Sequence, residues 1–357
     1  MRLASELWAV GVRAEILTGR DKGKPRQVIL DGFGSGEISI AIGTHALFQE
    51  DVAFHDLALA VIDEQHRFGV HQRLSLTGKG ETIDMLVMTA TPIPRTLALT
   101  IYADLDASTI PELPSGRIPI MTRIVPPDRG TDAEQFIIDQ VERGRQAFVV
   151  CPLIDESEAV LARAATVEFD RLRDGSLASV RVGLLHGRMP LGEKQAVMDE
   201  FRSGALDVLV TTPVIEVGID VPNASVMLIE GADRFGLAQL HQLRGRVGRG
   251  EHQSYCLLIA ETPSADATTR LEELVKTNDG FAIAEADLRL RGPGDYFGTR
   301  QSGLPTLKMA RLDDRDLLAS ARTEARTLIE SDPTLLASAD LAAAVARYAT
   351  AVSDEMA

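Results

Sequence analysis

Seven short apolar runs punctuate the chain: LALAVID (57–63), MLVMTAT (85–91), QAFVVCPLI (146–154), VRVGLLHG (180–187), LDVLVTT (206–212), SVMLIEG (225–231) and SYCLLIA (254–260). Each is apolar at successive positions, the pattern of a strand buried on both faces of a parallel sheet. Between them lie stretches with helical spacing. The clearest, PLGEKQAVMDEFRSG (190–204), opens on a proline suited to a first helical turn and closes on Gly204. Strand and helix in alternation predict an α/β fold built on parallel sheets.

Two breaks divide this pattern. Residues 111–131, PELPSGRIPIMTRIVPPDRGT, hold five prolines and interrupt the alternation, as a connection between domains would. After residue 262 the strands stop, and ADATTRLEELVKTNDGFAIAEADLRL reads as two helices about an Asn278-Asp279-Gly280 turn. Leu271, Leu274, Val275, Phe281 and Ile283 form the expected packing seam of that hairpin. The tail beyond residue 310 is rich in Ala and Leu and predicts helix. The expected divisions are 1–112, 113–262 and 263–357.

Composition narrows the function classes. A length of 357 residues suits two domains and an appendage. The chain carries 37 basic and 52 acidic residues, a formal charge of −15, so any contact with nucleic acid must be local. Cys151 and Cys256 stand without zinc spacing or a disulfide framework, as in a reducing compartment. The N-terminal stretch MRLASELWAVGVRAEI has no sustained apolar core of a secretory signal, and no window approaches the ~20 apolar residues of a membrane span. The expected location is cytoplasmic, with no membrane partner.

Two stretches could carry chemistry. Asp63 and Glu64 follow an apolar run, at the carboxyl end of a strand, where open α/β sheets bind ligands. An aspartate there can hold Mg2+ through water, and its neighbour can orient and deprotonate an attacking water; a solvated turn would look the same. In QLHQLRGRVGRG (239–250), Arg246 and Arg249 are three apart and on a helix would share a face, while Gly245 and Gly248 would let a backbone or phosphate approach. Paired guanidiniums suit a transferred phosphoryl group; the alternative is a basic helix end capped by Gly250. His66 and His71, beside Asp63, are five apart, which does not put both on one helical face, and no third zinc ligand is evident.

DEQHRFGV (63–70), TATPIPRTL (89–97), VIEVGIDVPNA (214–224) and QLHQLRGRVGRG (239–250), in that order, resemble motifs II, III, V and VI of superfamily 2 helicases. Within the superfamily they resemble the RecG family of branched-DNA translocases. The related Mfd translocases usually read DEEQRFGV at motif II, so DEQH favours RecG. The tract DGFAIAEADLRLRGPGDYFGTRQSG (279–303) is similar to the translocation motif that RecG and Mfd share.

This resemblance implies tandem RecA-like domains that use ATP and Mg2+ on branched double-stranded DNA, meaning stalled forks and Holliday junctions, and a monomeric full-length protein. Residues 1–112 would be the C-terminal part of the first RecA-like domain, 113–262 the second, and 263–357 the translocation hairpin and tail. Asp63 and Glu64 would serve Mg2+ and the attacking water, with Gln65 and His66 linking them to DNA. Thr89 and Thr91 would couple hydrolysis to movement. Gly218 and Asp220 would approach the nucleotide ribose, and Gln242, Arg246 and Arg249 its phosphates. Thr44 and His45, in GTHAL, would contact the DNA backbone, as would His186, Arg188, Thr211 and Thr212. Arg289, Arg291, Arg300 and Gln301 would work in translocation.

The sequence departs from the family at two places. Pro213 stands where the family has a second threonine, which removes a hydroxyl and an N–H from motif V. No GxxxxGK[ST] phosphate loop occurs. DGFGSGEIS (31–39) copies the loop's glycines but continues into Glu37, and reads as a turn between a helix and a strand. In the family the loop lies upstream of the region corresponding to Met1, so the first domain is expected to be partial. The alternative to a motor is a non-catalytic remnant of RecA-like fold.

Overall fold

The computed structural model describes residues 2–63, 79, 83–89, 108, 110, 116–151, 158–213, 221–291 and 315–346. The chain divides into two compact units, Met1–Ala90 and Thr91–Ala357.

In the first unit, α1 (Arg2–Ala9), β1 (Ala14–Leu17), α2 (Gly23–Ser35) and β2 (Ile40–Gly43) precede β3 (Leu59–Ile62) and β4 (Asp84–Val87). β1 pairs with β2 and β3 with β4, both parallel, as two separate two-stranded sheets. A small core of Leu17, Phe33, Ile38, Ala46 and Val52 holds α2 against β1 and β2. The DGFGSGEIS stretch is the end of α2. Gly32 lies where a Cβ would come 2.4 Å from Ile38 Cδ1, and Gly36 caps the helix at φ 75°. Glu37 then pairs with Arg13 at 2.8 Å. The glycines thus serve helix packing and termination, as the turn reading expects.

In the second unit, β5 (Met121–Val125), α3 (Gly130–Glu142), β6 (Gln146–Val150), α4 (Glu158–Asp174), β7 (Val182–Leu185), α5 (Leu191–Arg202), β8 (Val208–Thr211) and β9 (Ala224–Ile229) follow in order. Then come α6 (Leu237–Arg244), β10 (Tyr255–Ile259), α7 (Ala265–Lys276), α8 (Gly280–Arg291) and α9 (Arg315–Ser331). The strands form one parallel sheet in the order β5-β10-β9-β6-β8-β7. Alternate residues of each central strand serve opposite faces. Phe148 and Val150 join Met198 and Phe201 of α5, Leu240 and Leu243 of α6, Leu271 and Leu274 of α7 and Ile283 of α8. Ala147 and Val149 join Ala133 and Ile137 of α3 and Ala165 and Leu172 of α4. This is the α/β class the alternation predicts, and the apolar runs become β3, β4 and β6–β10.

Pro190 is the N-cap of α5, its carbonyl accepting from Lys194 N at 3.0 Å to close the first turn as expected. Two local expectations are corrected. Residues 121–125, inside the proline-rich stretch, are an edge strand, because Met121-Thr122-Arg123-Ile124-Val125 pairs in full with β10 and an edge accepts a mixed polar pattern. Val275 points outward, 41% exposed, whereas Leu271, Leu274 and Ile283 are buried; the hairpin packs into the core of the sheet and not only on itself. Among the described residues no helix is long and apolar enough to cross a membrane.

Candidate nucleotide and nucleic-acid site

Chemistry-bearing residues gather at the carboxyl ends of the strands. In the first unit Asp63 is the exposed residue directly after β3. The parallel register sets Ile62 beside Val87, so Asp63 and Thr89 emerge at the same edge of the pair. Glu64, Gln65, His66, His71 and Thr91 lie outside the described residues. Thr44 and His45 follow β2, where the chain turns into a short 3-10 helix, His45–Phe48. Gly43 is obligatory there: a Cβ would meet Leu17 O at 2.3 Å. Lys79 is no substitute for a phosphate-loop lysine, since its Nζ donates to Gln49 O at 2.7 Å and Val52 O at 2.6 Å.

In the second unit β7 and β8 bring His186 and Thr212 together, with Thr212 N donating to Leu185 O at 3.3 Å. Arg188 is exposed beside them, and Lys194 at the start of α5 donates to Gly187 O. Burial first, then the charges of Lys194 and Arg188, lower the pKa of His186, so the cluster is basic through Lys194 and Arg188 and not through the imidazole. Thr211 is fully buried and its hydroxyl donates to Thr212 O at 2.8 Å, which makes it a packing residue and corrects its expected contact with DNA. Gly218 and Asp220 lie outside the described residues.

The glycine–arginine segment differs most from expectation. α6 ends at Arg244, with Gly245 as its cap, so Arg246 and Arg249 lie in the turn and the extended chain beyond it and share no helical face. Gln242 is on the last turn of α6, half-buried; Arg246 is half-buried and Arg249 exposed, its Nε donating to Gly245 O at 3.3 Å. Gly248 and Gly250 admit the chain's own atoms. Gly248, at φ 80°, would drive a Cβ to 2.8 Å from Ile120 Cγ1, and Gly250 would drive one to 2.3 Å from Pro222 O. Arg117 Nε fixes the same loop by donating to Gly248 O at 3.1 Å.

The residue that sequence reasoning missed is Arg244. Its side chain is 2% exposed. Nη1 donates to Leu274 O at 2.7 Å and Thr277 O at 2.9 Å, at the end of α7. Nη2 meets His241 Nδ1 at 3.1 Å. Burial, and then the Arg244 charge, lower His241 to about 4, so the imidazole is neutral and Nδ1 accepts. The signal that could have found it is its spacing, four residues after Leu240 and seven after Leu237, which puts it on the buried face of α6. One guanidinium therefore ties the segment bearing Arg246 and Arg249 to the helical hairpin. Arg289, on α8, is exposed and 3.9 Å from Glu273; Arg291 closes α8, and Arg300 and Gln301 lie outside the described residues.

Most of the chain is similar to known proteins. Residues 131–251 match the helicase conserved C-terminal domain, and residues 277–342 match domain 3, C-terminal, of the ATP-dependent DNA helicase RecG. The ATP-dependent DNA helicase RecG of Synechocystis is 50% identical over 92% of this chain and 40% of its own length. That of Escherichia coli K12 is 51% identical over 91% of this chain and 48% of its own. The chain belongs to the RecG family. It spans less than half the length of these relatives. A solved structure of RecG bound to a three-way DNA junction matches at 45% identity and a TM-score of 0.68, covering 89% of this chain and 41% of the other. A variant of Dbp5 from Saccharomyces cerevisiae bound to RNA and ADP BeF3, 15% identical with a TM-score of 0.52 over 90% of this chain and 78% of its own, shares the fold alone.

The residues present fit part of a nucleotide site. Mg2+ binds through one or two carboxylates and completes its shell with water and phosphate. Asp63, exposed at a strand end, suits that role. Among the described residues no group of three or more His, Cys, Asp or Glu could hold a metal by itself. The lysine-bearing phosphate loop is not among the 357 residues.

Proposed function

We propose that this chain supplies the catalytic carboxylates, the arginine segment and the translocation hairpin of a RecG-type ATP-dependent translocase acting on branched double-stranded DNA, in the cytoplasm and as a monomer. The division at 112/113 and 262/263 is part of this proposal. The observation that carries it is the buried joint at Arg244, which with the shared apolar core links the arginine segment to the hairpin, in a chain where Asp63, Thr89, His186 and Thr212 stand at strand carboxyl ends.

ATP with Mg2+ supplies the free energy and the electrophile. Asp63 would hold Mg2+, which would polarise the phosphates, and Glu64 would accept the proton of the attacking water. Arg246 and Arg249 meet the charge that grows on the transferred phosphoryl group, with Gln242 beside them. Arg188, Lys194 and the edge formed by His186 and Thr212 receive the DNA backbone. Arg244 transmits displacement of the arginine segment to α7 and α8, and Arg289, Arg291, Arg300 and Gln301 pass it to DNA.

The test is DNA-stimulated ATPase on the chain alone and on the chain joined to the phosphate-loop half of the Escherichia coli relative. We expect negligible turnover alone, because its sequence has no GxxxxGK[ST] loop, and fork-stimulated turnover in the joined protein. Glu64→Gln in the joined protein should remove turnover, by a factor of about 10² or more, and leave DNA binding unchanged. A joined protein that binds forks but keeps its turnover with Glu64→Gln would exclude these roles.

A further inference from the structure

A second polar group lies on the other face of the large sheet, away from α6 and the hairpin. Arg171 of α4 faces three carboxylates. Its Nη2 is 2.7 Å from Glu134 Oε1 of α3 and 3.6 Å from Glu230 Oε1, just past β9, and its Nε donates to Glu168 Oε1 at 2.7 Å. Glu134 is 5% exposed, and its Oε2 is buried with no hydrogen-bond partner. Cys151, the first residue after β6, is buried against the same group. The charged and titratable groups facing Glu230 are therefore Glu134 from α3, Glu168 and Arg171 from α4, and Cys151 from β6.

The carboxylates are largely covered, at 6%, 17% and 18% side-chain exposure for Glu134, Glu168 and Glu230, and the one guanidinium among them, 48% exposed, does not balance three negative charges. Leaving a buried charge uncompensated is strongly unfavourable, and neighbouring carboxylates relieve it by keeping a proton. Glu230 is the one placed to do so, because at 3.6 Å it lies farther from the guanidinium than Glu134 or Glu168, each at 2.7 Å.

We propose that Glu230 keeps a proton beside Glu134, Glu168 and Arg171, and that the protonated cluster fastens α3 and α4 to the carboxyl edge of β9. Burial first, and then the charge of Glu168, push Glu230 up to about 8 from its ordinary 4.5, against the pull of Arg171. The folded state thus keeps a proton that the unfolded chain releases near 4.5. Its stabilising share is complete below that pH, declines as pH rises, and is gone once pH passes about 8. Cys151 is held protonated throughout by burial and by the same carboxylates.

The test is carboxyl 13C NMR on the 357-residue chain labelled at glutamate Cδ, with Glu230→Gln as the comparison. We expect one glutamate signal with a midpoint near pH 8, absent from Glu230→Gln; glutamates that all ionise below about pH 6 would overturn the proposal. Because a substitution here can weaken folding, urea unfolding of both proteins from about pH 5.5 to about 9.5 gives a second reading. The wild-type unfolding constant should rise up to about tenfold more per pH unit than that of Glu230→Gln until about pH 8, and then run parallel to it. Equal slopes across the range would also overturn it.

Discussion

β6 and β3 are both apolar strands, Gln146-Ala-Phe-Val-Val150 and Leu59-Ala-Val-Ile62, and they meet opposite fates. Every residue of β6 is buried. In β3 only Ala60 and Ile62 are, while Leu59 is 55% and Val61 53% exposed. The difference lies in the neighbours. β6 is flanked by β8 and β9 and covered by α3 and α4 on one face and α5 and α6 on the other. Among the described residues β3 has one partner strand, and Phe48, Ile83 and Met85 pack against it. Exposed Leu86 and Met88 continue the bare face onto β4. An apolar run therefore encodes the capacity for two-sided burial, worth roughly 1.5–3 kcal/mol for each Val or Leu actually covered, and tertiary context decides whether it is used.

That contrast can be broken or sharpened by measurement. The largest effect should come from Arg244→Met, which leaves Leu274 O and Thr277 O buried without their donor; we expect a loss of about 3 kcal/mol in urea unfolding of the second unit. An unchanged midpoint would mean that the joint between α6 and α7 adds nothing to the better-built unit. Next is acid sensitivity. His241 folds with its pKa depressed to about 4, so the unfolded chain takes up the proton first, near 6.5. Stability present above pH 6.5 should fall by about 2 kcal/mol as pH drops from there toward 4, and His241→Asn, which keeps an acceptor that does not titrate, should flatten that limb. Parallel acid limbs would remove His241 from the account. The smallest effect should come from Leu59→Thr with Val61→Thr: less than about 0.5 kcal/mol in unfolding, with reduced self-association in sizing chromatography. A loss above about 2 kcal/mol would show that this face is covered and the contrast false.

Much of the large sheet is legible because its strands are short, two-sided and separated by helices of clear spacing. β5 escapes because its flanking prolines mark a connector while its own five residues alternate only weakly, and its place at an edge is visible only through its pairing with β10. β1, Ala-Glu-Ile-Leu, has four residues and a charge, too little for a periodic signal. At the candidate site, strand-end positions such as Asp63 and His186 follow directly from where the apolar runs stop. Spacing alone misplaces the arginine pair because it assumes that the helix continues, and α6 ends at Arg244. Thr211 resembles a contact residue because a hydroxyl at a strand end often is one, yet the following carbonyl uses it. Arg244 is hidden because its partners are carbonyl oxygens about thirty positions away, and carbonyls leave no mark in a sequence.

Oxygens of the main chain are present whatever residue occupies positions 274 and 277, so the fastening of α6 to the hairpin is blind to amino-acid replacement there so long as the backbone keeps its path. Its sensitivity is to length: one residue inserted or deleted between 265 and 277 would rotate both acceptors away from the guanidinium, and the two ends of the proposed stroke would part without any residue of the motifs being altered.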